Sequence, residues 1–215
     1  MSIIGAGVGG LTTALALTHR GFDVDVYEAT KQVRPISTGI VLSPVALNIL
    51  NEYCVLEEVL AQGQAVHSFS IRSHRDKCLS RYDVTRFNED TSPQAIYRQK
   101  THSVAINTTA LQRILMSALQ ANIVHTNKRL SEVDLTNKKI RFGMGDSVEF
   151  DGLIGADGFN SLVRGYVTSK ERLIDCNQVG WRGASKMGLF YDERTEFVEY
   201  WGKGLRFAYV QMSDT

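Results

Sequence analysis

The chain has 215 residues, 43% hydrophobic and 22% charged, which excludes a disordered, collagenous or coiled-coil protein and suffices for one sizeable core or two small ones. Lys and Arg total 24 against 23 for Asp and Glu, a net charge of +1. No stretch gathers the cations into a stripe, so neither a nucleic acid nor an anionic membrane is expected as a partner. Cys54, Cys78 and Cys176 are odd in number and far apart; they read as reduced thiols of a cytoplasmic protein. No run approaches the ~18 apolar residues of a membrane span, and no charged start followed by an apolar stretch marks a leader.

The first 28 residues read as one βαβ unit. A short apolar strand at Ser2-Ile3-Ile4 leads into a glycine cluster. A helix from about Gly10 to Arg20 carries Leu11, Ala14, Leu15 and Thr18 at helical spacing and is closed by Gly21. Val24 and Val26 then alternate up to Glu28. Ser43-Pro44 predicts an N-cap and first turn for a second helix with Leu47, Leu50 and Tyr53 inward. From His67 to Gln99 the pattern turns to period two, as in Phe69-Ser70-Ile71-Arg72, with a polar loop from Asn88 to Pro93, so an inserted antiparallel piece is expected. A third helix is expected from Thr108 to Ala121, striped by Leu111, Ile114, Leu115 and Ala118. Ile123-Val124, Val133 and Leu135, Ile140 and Phe142, and Val148 and Phe150 read as short hairpin strands, with Gly143 to Asp146 as one turn. Leu153-Ile154-Gly155-Ala156 has the apolar continuity of a buried parallel strand. The remainder, with Trp181, Phe197, Val198, Tyr200, Trp201, Phe207 and Tyr209, reads as antiparallel strands with aromatic faces.

Gly5-Ala6-Gly7-Val8-Gly9-Gly10 holds the spacing G-x-G-x-x-G directly after a strand and before a helix. In that context Gly5 permits the tight turn, Gly7 lets a diphosphate approach the backbone, and Gly10 allows helix and strand to pack closely. The first-turn amides of Val8, Gly9 and Gly10 then face the anion. Glu28 lies 18 positions beyond Gly10, near the ~20-residue offset at which an acid accepts ribose hydroxyls. An acid there disfavours a 2′-phosphate, so NADP is not expected in this cradle.

Gly155-Ala156-Asp157-Gly158-Phe159-Asn160-Ser161-Leu162-Val163-Arg164 ends the later strand with an acid and a glycine. Taken together with the glycine cluster and Glu28, it closely resembles the group A FAD-dependent aromatic monooxygenases, the family of the salicylate, 4-hydroxybenzoate and urate hydroxylases. Gly39-Ile40-Val41-Leu42-Ser43-Pro44, Leu111-Gln112-Arg113-Ile114-Leu115, Trp181-Arg182-Gly183 and Glu199-Tyr200-Trp201-Gly202 extend the likeness along the chain. It implies an α/β protein: a Rossmann-like FAD-binding βαβ domain (1–66 and 103–168) with an interleaved antiparallel β substrate domain (67–102, and a start at 169–215). It also implies FAD as cofactor and NAD(P)H as transient co-substrate. Gly5, Gly7 and Gly10, with Val8 and Gly9, would cradle the diphosphate; Glu28 with Ala29 would hold the adenosine ribose. Gln112 would lie near the flavin linker, Gly39 would be a further cofactor contact, and Asp157 with Gly158 would lie at the ribityl or diphosphate region.

The implied activity is hydroxylation of a small aromatic or heteroaromatic substrate by O2 through a C4a-hydroperoxyflavin. Arg182, Tyr200 and Phe207 are candidate substrate contacts, and aromatics at strand spacing serve a core equally well. No catalytic residue is assigned. The five scattered histidines have no metal-ligand spacing, and no metal is expected. Three features depart from the family. Thr108 stands where many relatives carry arginine, Ser37-Thr38 replaces a glycine-alanine pair, and the only Gly-Asp pair, Gly145-Asp146, falls in a hairpin turn. The chain is therefore expected to be a C-terminally incomplete relative: a truncated product, a fragment, or half of a split enzyme with a complementing C-terminal chain. The alternative activity is then a non-catalytic FAD-binding fragment or subunit. An NAD-dependent dehydrogenase would use the same glycine cradle but lacks an obvious catalytic His or Tyr-Lys pair.

Overall fold

The computed structural model describes residues 1–31, 38–84, 102–143, 145–168, 174–186, 189 and 195–213. The expected loop from Asn88 to Pro93 and Ser37 lie outside them. The chain falls into two compact units, Met1–Ile36 with Leu111–Arg182 and Ser37–Ala110 with Gly183–Thr215.

In the first unit, β1 (Ser2–Ile4), β2 (Asp25–Tyr27), β8 (Val124–His125) and β12 (Leu153–Gly155) form a parallel sheet in the order β12-β1-β2-β8. Ile4 pairs with both Tyr27 and Gly155. The next residues, Gly5, Glu28 and Ala156, therefore leave the sheet side by side. Helix α1 (Val8–His19) connects β1 to β2, with Gly10, Leu11, Ala14 and Leu15 buried. It starts two residues before the expected position, so the glycines at 9 and 10 are helical. Its C-terminus is a complete Schellman closure: Gly21 N–H donates to Thr18 O at 3.0 Å, Phe22 N–H donates to Leu17 O at 3.1 Å, and Gly21 has φ +80°. A three-stranded antiparallel sheet, β9 (Leu130–Asp134), β10 (Lys139–Phe142) and β11 (Ser147–Glu149), packs beside it with α5 (Leu162–Val167). Ile4, Tyr27, Val133, Ile140, Phe142 and Val163 form their common core.

Two expectations need adjusting here. Ile123-Val124 does not open a hairpin: Val124 and His125 run parallel to Val26 and Tyr27 at the edge of the main sheet, because the stripe of the preceding helix returns the chain by a crossover. Helix α4 (Thr108–Ser117) is also shorter than expected, ending where the Ser117 hydroxyl turns back to Ile114 O at 2.8 Å. The boundary between the two units falls inside α4.

The second unit contains an antiparallel sheet ordered β3-β7-β4, made of β3 (Gly39–Leu42), β4 (Gln64–Val66) and β7 (Ser103–Asn107), with α2 (Pro44–Glu52) and α3 (Leu56–Gln62). Ser43 caps α2 through Ala46 N at 3.4 Å, as its sequence predicts. Thr108 donates its hydroxyl to Thr38 O at 3.0 Å. A second sheet, ordered β14-β13-β5-β6, is built from β5 (Ser68–Ser73), β6 (Cys78–Asp83), β13 (Glu196–Gly202) and β14 (Leu205–Tyr209). Its hairpins are antiparallel, as their period-two patterns predict, whereas β13 runs parallel to β5, a long-range pairing that alternation alone does not encode. Trp181 is in no strand and is 88% exposed. Among the described residues no helix is long and apolar enough to cross a membrane.

Ile140→Ala, which empties a fully buried position of the first unit's core, is expected to destabilise the protein by roughly 2–5 kcal/mol. Gly21→Ala, at φ +80° on a solvent-facing turn, is expected to cost about 1 kcal/mol. Urea denaturation measures both, and the opposite ranking contradicts this account of the core.

Candidate functional site

The order β12-β1-β2-β8 reverses direction at β1: the chain goes to β2 on one side and returns to β12 on the other. Such a switch point leaves a crevice beyond the carboxyl ends of the strands. A cleft of about 420 Å³ lies there, with Gly5, Gly7, Glu28, Ala29, Asp157 and Gly158 among its lining residues. The structure thus brings the glycine loop, the end of β2 and the Asp-Gly element to one place.

Steric constraints explain two of the glycines. A Cβ on Gly5, at φ +103°, would collide with the carbonyl oxygen of Ala156; one on Gly10 would collide with the carbonyl oxygen of Gly5 and lie 3.3 Å from Ala156 Cβ. A Cβ on Gly7 would meet nothing within 4 Å, so Gly7 presents bare backbone to the cleft it lines. Gly7 is also the N-cap of α1 and provides no side-chain cap; no acidic residue occupies the first turn. The amides of Val8, Gly9 and Gly10 have no intrahelical acceptor, and the helix dipole places roughly half a positive charge there.

Glu28 points back at the loop. Its Oε2 accepts from Ala6 N at 2.9 Å, and its Oε1 accepts from Thr30 N and Thr30 Oγ1, both at 2.9 Å. Burial pushes this carboxyl up, but the hydrogen bonds from Ala6, Thr30 and Ala29 more than offset it and hold its pKa below that of an ordinary glutamate. Gln112, buried on α4, donates Nε2 to Ala6 O at 2.9 Å. Asp157 is engaged by α5: Oδ1 accepts from Ser161 Oγ at 2.6 Å, and Oδ2 from Leu162 N at 2.7 Å and Val163 N at 3.2 Å. It lines the cleft while capping that helix. Gly39 is in β3 of the second unit, where a Cβ would meet Met212 Sδ at 2.5 Å.

Sequence reasoning missed one wall. Tyr27, Lys128, Arg129 and Leu130 also line the cleft. They arrive there because the segment after β8 is tied to the end of β2, by Glu28 N to His125 O and Lys128 N to Glu28 O, each 2.8 Å, and by Asn127 N to Thr30 O at 2.9 Å. The signal was the β8 strand itself; assigning Ile123-Val124 to a hairpin left its following loop elsewhere. Lys128 pairs with Asp146 and lies over the Phe142 ring. Arg129 is exposed, and its guanidinium has no ion pair among the described residues. Of the candidate substrate contacts, Tyr200 donates its hydroxyl to Asp76 Oδ1 at 2.9 Å. Phe207 is exposed on β14, and Arg182 is exposed outside any strand.

The sign of the pH dependence follows from the lowered Glu28 pKa. Its contribution to stability is present above the unfolded value and is lost as the pH falls through the folded one. Thermal melts of wild type and Glu28→Gln are expected to differ most near about pH 7, the gap closing as the pH falls below the ordinary glutamate range of about 4, since the Glu28 pKa is lowered. A gap independent of pH down to about 3 would contradict a charged role for this carboxylate.

The family described as "FAD binding domain" matches residues 1–193. Phenazine 1,6-dicarboxylic acid hydroxylase PhzS of Lysobacter antibioticus is 30% identical over 211 residues, covering 91% of this chain and 49% of the relative. The FAD-dependent urate hydroxylase of Klebsiella pneumoniae is 27% identical over 216 residues, covering 98% of this chain and 54% of the relative. In fold, the crystal structure of Klebsiella pneumoniae HpxO complexed with FAD and uric acid superposes with a TM-score of 0.73 at 20% identity, covering 99% of this chain and 53% of that one. The chain spans about half the length of the relatives it matches. The match covers most of the chain, which belongs to the FAD binding domain family.

Proposed function

We propose that the chain binds FAD in the switch-point cleft and serves an NAD(P)H- and O2-using hydroxylation of a small aromatic or heteroaromatic compound. The observation that carries the reading is the convergence of Gly5, Gly7, Glu28 and Asp157-Gly158 on one cleft of the first unit. The named substrates of the relatives, a phenazine dicarboxylic acid and urate, support an aromatic substrate class.

The residues suit the nucleotide. A diphosphate finds bare backbone at Gly7 and the uncapped amides of Val8, Gly9 and Gly10, where anions are favoured. A ribose hydroxyl finds Glu28, whose Oε2 keeps lone-pair capacity beyond the Ala6 bond. Ala29, Lys128, Arg129 and Leu130 form the adenosine side, with Asp157 and Gly158 opposite; Gly39 is proposed as a flavin contact. Bound FAD supplies the redox chemistry that links NAD(P)H to O2; these residues bind and orient it and exclude water. In function we divide the chain into FAD-binding parts at 1–66 and 103–168 and substrate-binding parts at 67–102 and 169–215, in a cytoplasmic protein. A narrower reading, FAD binding without turnover and with a complementing chain supplying the remainder, is favoured by one observation: the two carboxylates among the described residues lining the cleft, Glu28 and Asp157, are both engaged in hydrogen bonds to the protein.

Titration of the purified chain with FAD, followed by flavin fluorescence, is expected to saturate. Gly7→Ala is expected to leave the melting temperature nearly unchanged, since its Cβ meets nothing, yet to weaken FAD by at least about tenfold, or ~1.4 kcal/mol. Absence of FAD binding by the wild type sinks the proposal. NAD(P)H oxidation stimulated by phenolic ligands separates the hydroxylase from the narrower reading.

A further inference from the structure

The backbone of Ala6 is held at both its amide and its carbonyl by side chains from distant parts of the chain. Its N–H donates to Glu28 Oε2 and its carbonyl accepts from Gln112 Nε2, each at 2.9 Å, across sequence separations of 22 and 106. Ala6 is fully buried, so each lost bond would leave a backbone group unpaired away from water. Its neighbours are Gly5 and Gly7, residues whose backbone is otherwise the freest in the chain. Gln112 in turn is fixed, because Leu111, Ile114 and Leu115 around it on α4 are buried. Its Oε1 is buried with no hydrogen-bond partner among the described residues. The bond to Ala6 is therefore what orients the amide, and exchanging its oxygen and nitrogen would set two acceptors against each other.

We infer that Gln112 is a positioning residue for the adenosine-diphosphate half of the nucleotide, acting through the Ala6 peptide in concert with Glu28. The inference rests on the FAD reading of the cleft but assigns Gln112 a different action from a contact at the flavin linker. By clamping the one non-glycine residue between Gly5 and Gly7, the two side chains order the diphosphate loop before any ligand arrives, which removes that ordering cost from binding.

ADP, which carries the ribose and diphosphate but no flavin, separates the two actions. Isothermal titration of ADP and of FAD is made on wild type, Gln112→Met, Glu28→Ala and the double variant. Gln112→Met is expected to weaken ADP and FAD by the same factor, about tenfold, and the double variant by less than the product of the singles. Loss of FAD affinity with ADP unchanged, or full multiplicativity, overturns the inference. Gln112→Glu keeps the side chain's shape and adds a readout that lost packing would not move. Protonated, it donates to Ala6 O; ionised, it repels it. Its ADP affinity relative to wild type at the same pH, a ratio that cancels the titration of the ligand's own terminal phosphate, is expected to rise as the pH is lowered from about 8 to about 5.5; a ratio that does not change with pH overturns the inference even if Gln112→Met fails to fold. Wild type that binds neither ADP nor FAD removes the FAD reading itself, a result distinct from wild type that binds both and variants that match it.

Discussion

The backbone carbonyl of Ala156 occupies the space that a side chain on Gly5 would need, and the carbonyl of Gly5 does the same to Gly10. That double close approach is the constraint on which the first unit depends. It brings the end of β1, the start of α1 and the end of β12 together with no intervening side chain. Because Ile4 pairs with both Tyr27 and Gly155, the same contact sets the three strand ends level. The cleft is the space left above them. Its floor includes Ile4, Tyr27, Leu130 and Leu162, residues in or against the core formed by Val133, Ile140, Phe142 and Val163, so the apolar packing that stabilises the unit also fixes the cleft's shape.

The charges around this cleft are arranged by strength of engagement. Asp157 directs both carboxylate oxygens to Ser161, Leu162 and Val163 at the start of α5. Glu28 is drawn to the Ala6 amide and Thr30, so it stays ionised despite partial burial and keeps to the sugar side. Lys128 is balanced by Asp146, whereas Arg129 has no such partner among the described residues. What remains uncompensated at the loop is positive: first-turn amides, the helix dipole and a guanidinium. Each is modest in water, but dipoles held in place need not reorganise when an anion arrives.

How legible this was in the sequence varied with the range of the interaction. The glycine spacing, Gly21, Ser43-Pro44 and the Leu153–Ala156 run encode local geometry, and the structure forms a turn, a Schellman closure, a capped helix and a parallel strand at those places. Glu28 could be placed from its offset alone, because the βαβ crossover that separates it from Gly10 has nearly constant length. What was not legible depended on which distant segments pair. The Val124–His125 strand is two residues long, too short to carry a period, and its parallel partner lies about a hundred positions away. The Lys128–Leu130 wall followed it out of sight. Gln112 was legible as a helical residue of the family stripe, but its bond to Ala6 was not, since nothing local in α4 requires a partner in the glycine loop. Asp157 was read as facing a ligand, and nothing in the letters alone shows that α5 would claim both of its oxygens.

The second unit poses the same problem with charge instead of glycine. Glu196, 95% removed from solvent by its 5% exposure, lies 3.6 Å from the guanidinium groups of Arg72 and Arg81. The register that sets Glu196 against Ser68 and Val198 against Ser70 puts all of these groups on one face of the β14-β13-β5-β6 sheet. A slip of one residue would carry Glu196 to the opposite face, away from Arg72 and Arg81, whereas the observed register gives this buried carboxylate two guanidinium partners. Burying the ions gains little stability in itself, because their desolvation offsets most of the attraction. Its consequence is selectivity among pairings: the parallel union of β5 and β13, which no turn can enforce across such a separation, is tolerable in only one register. Glycines that permit one approach in the first unit and charges that penalise every wrong one in the second are two solutions to the same requirement, that strands far apart in sequence meet in a single alignment.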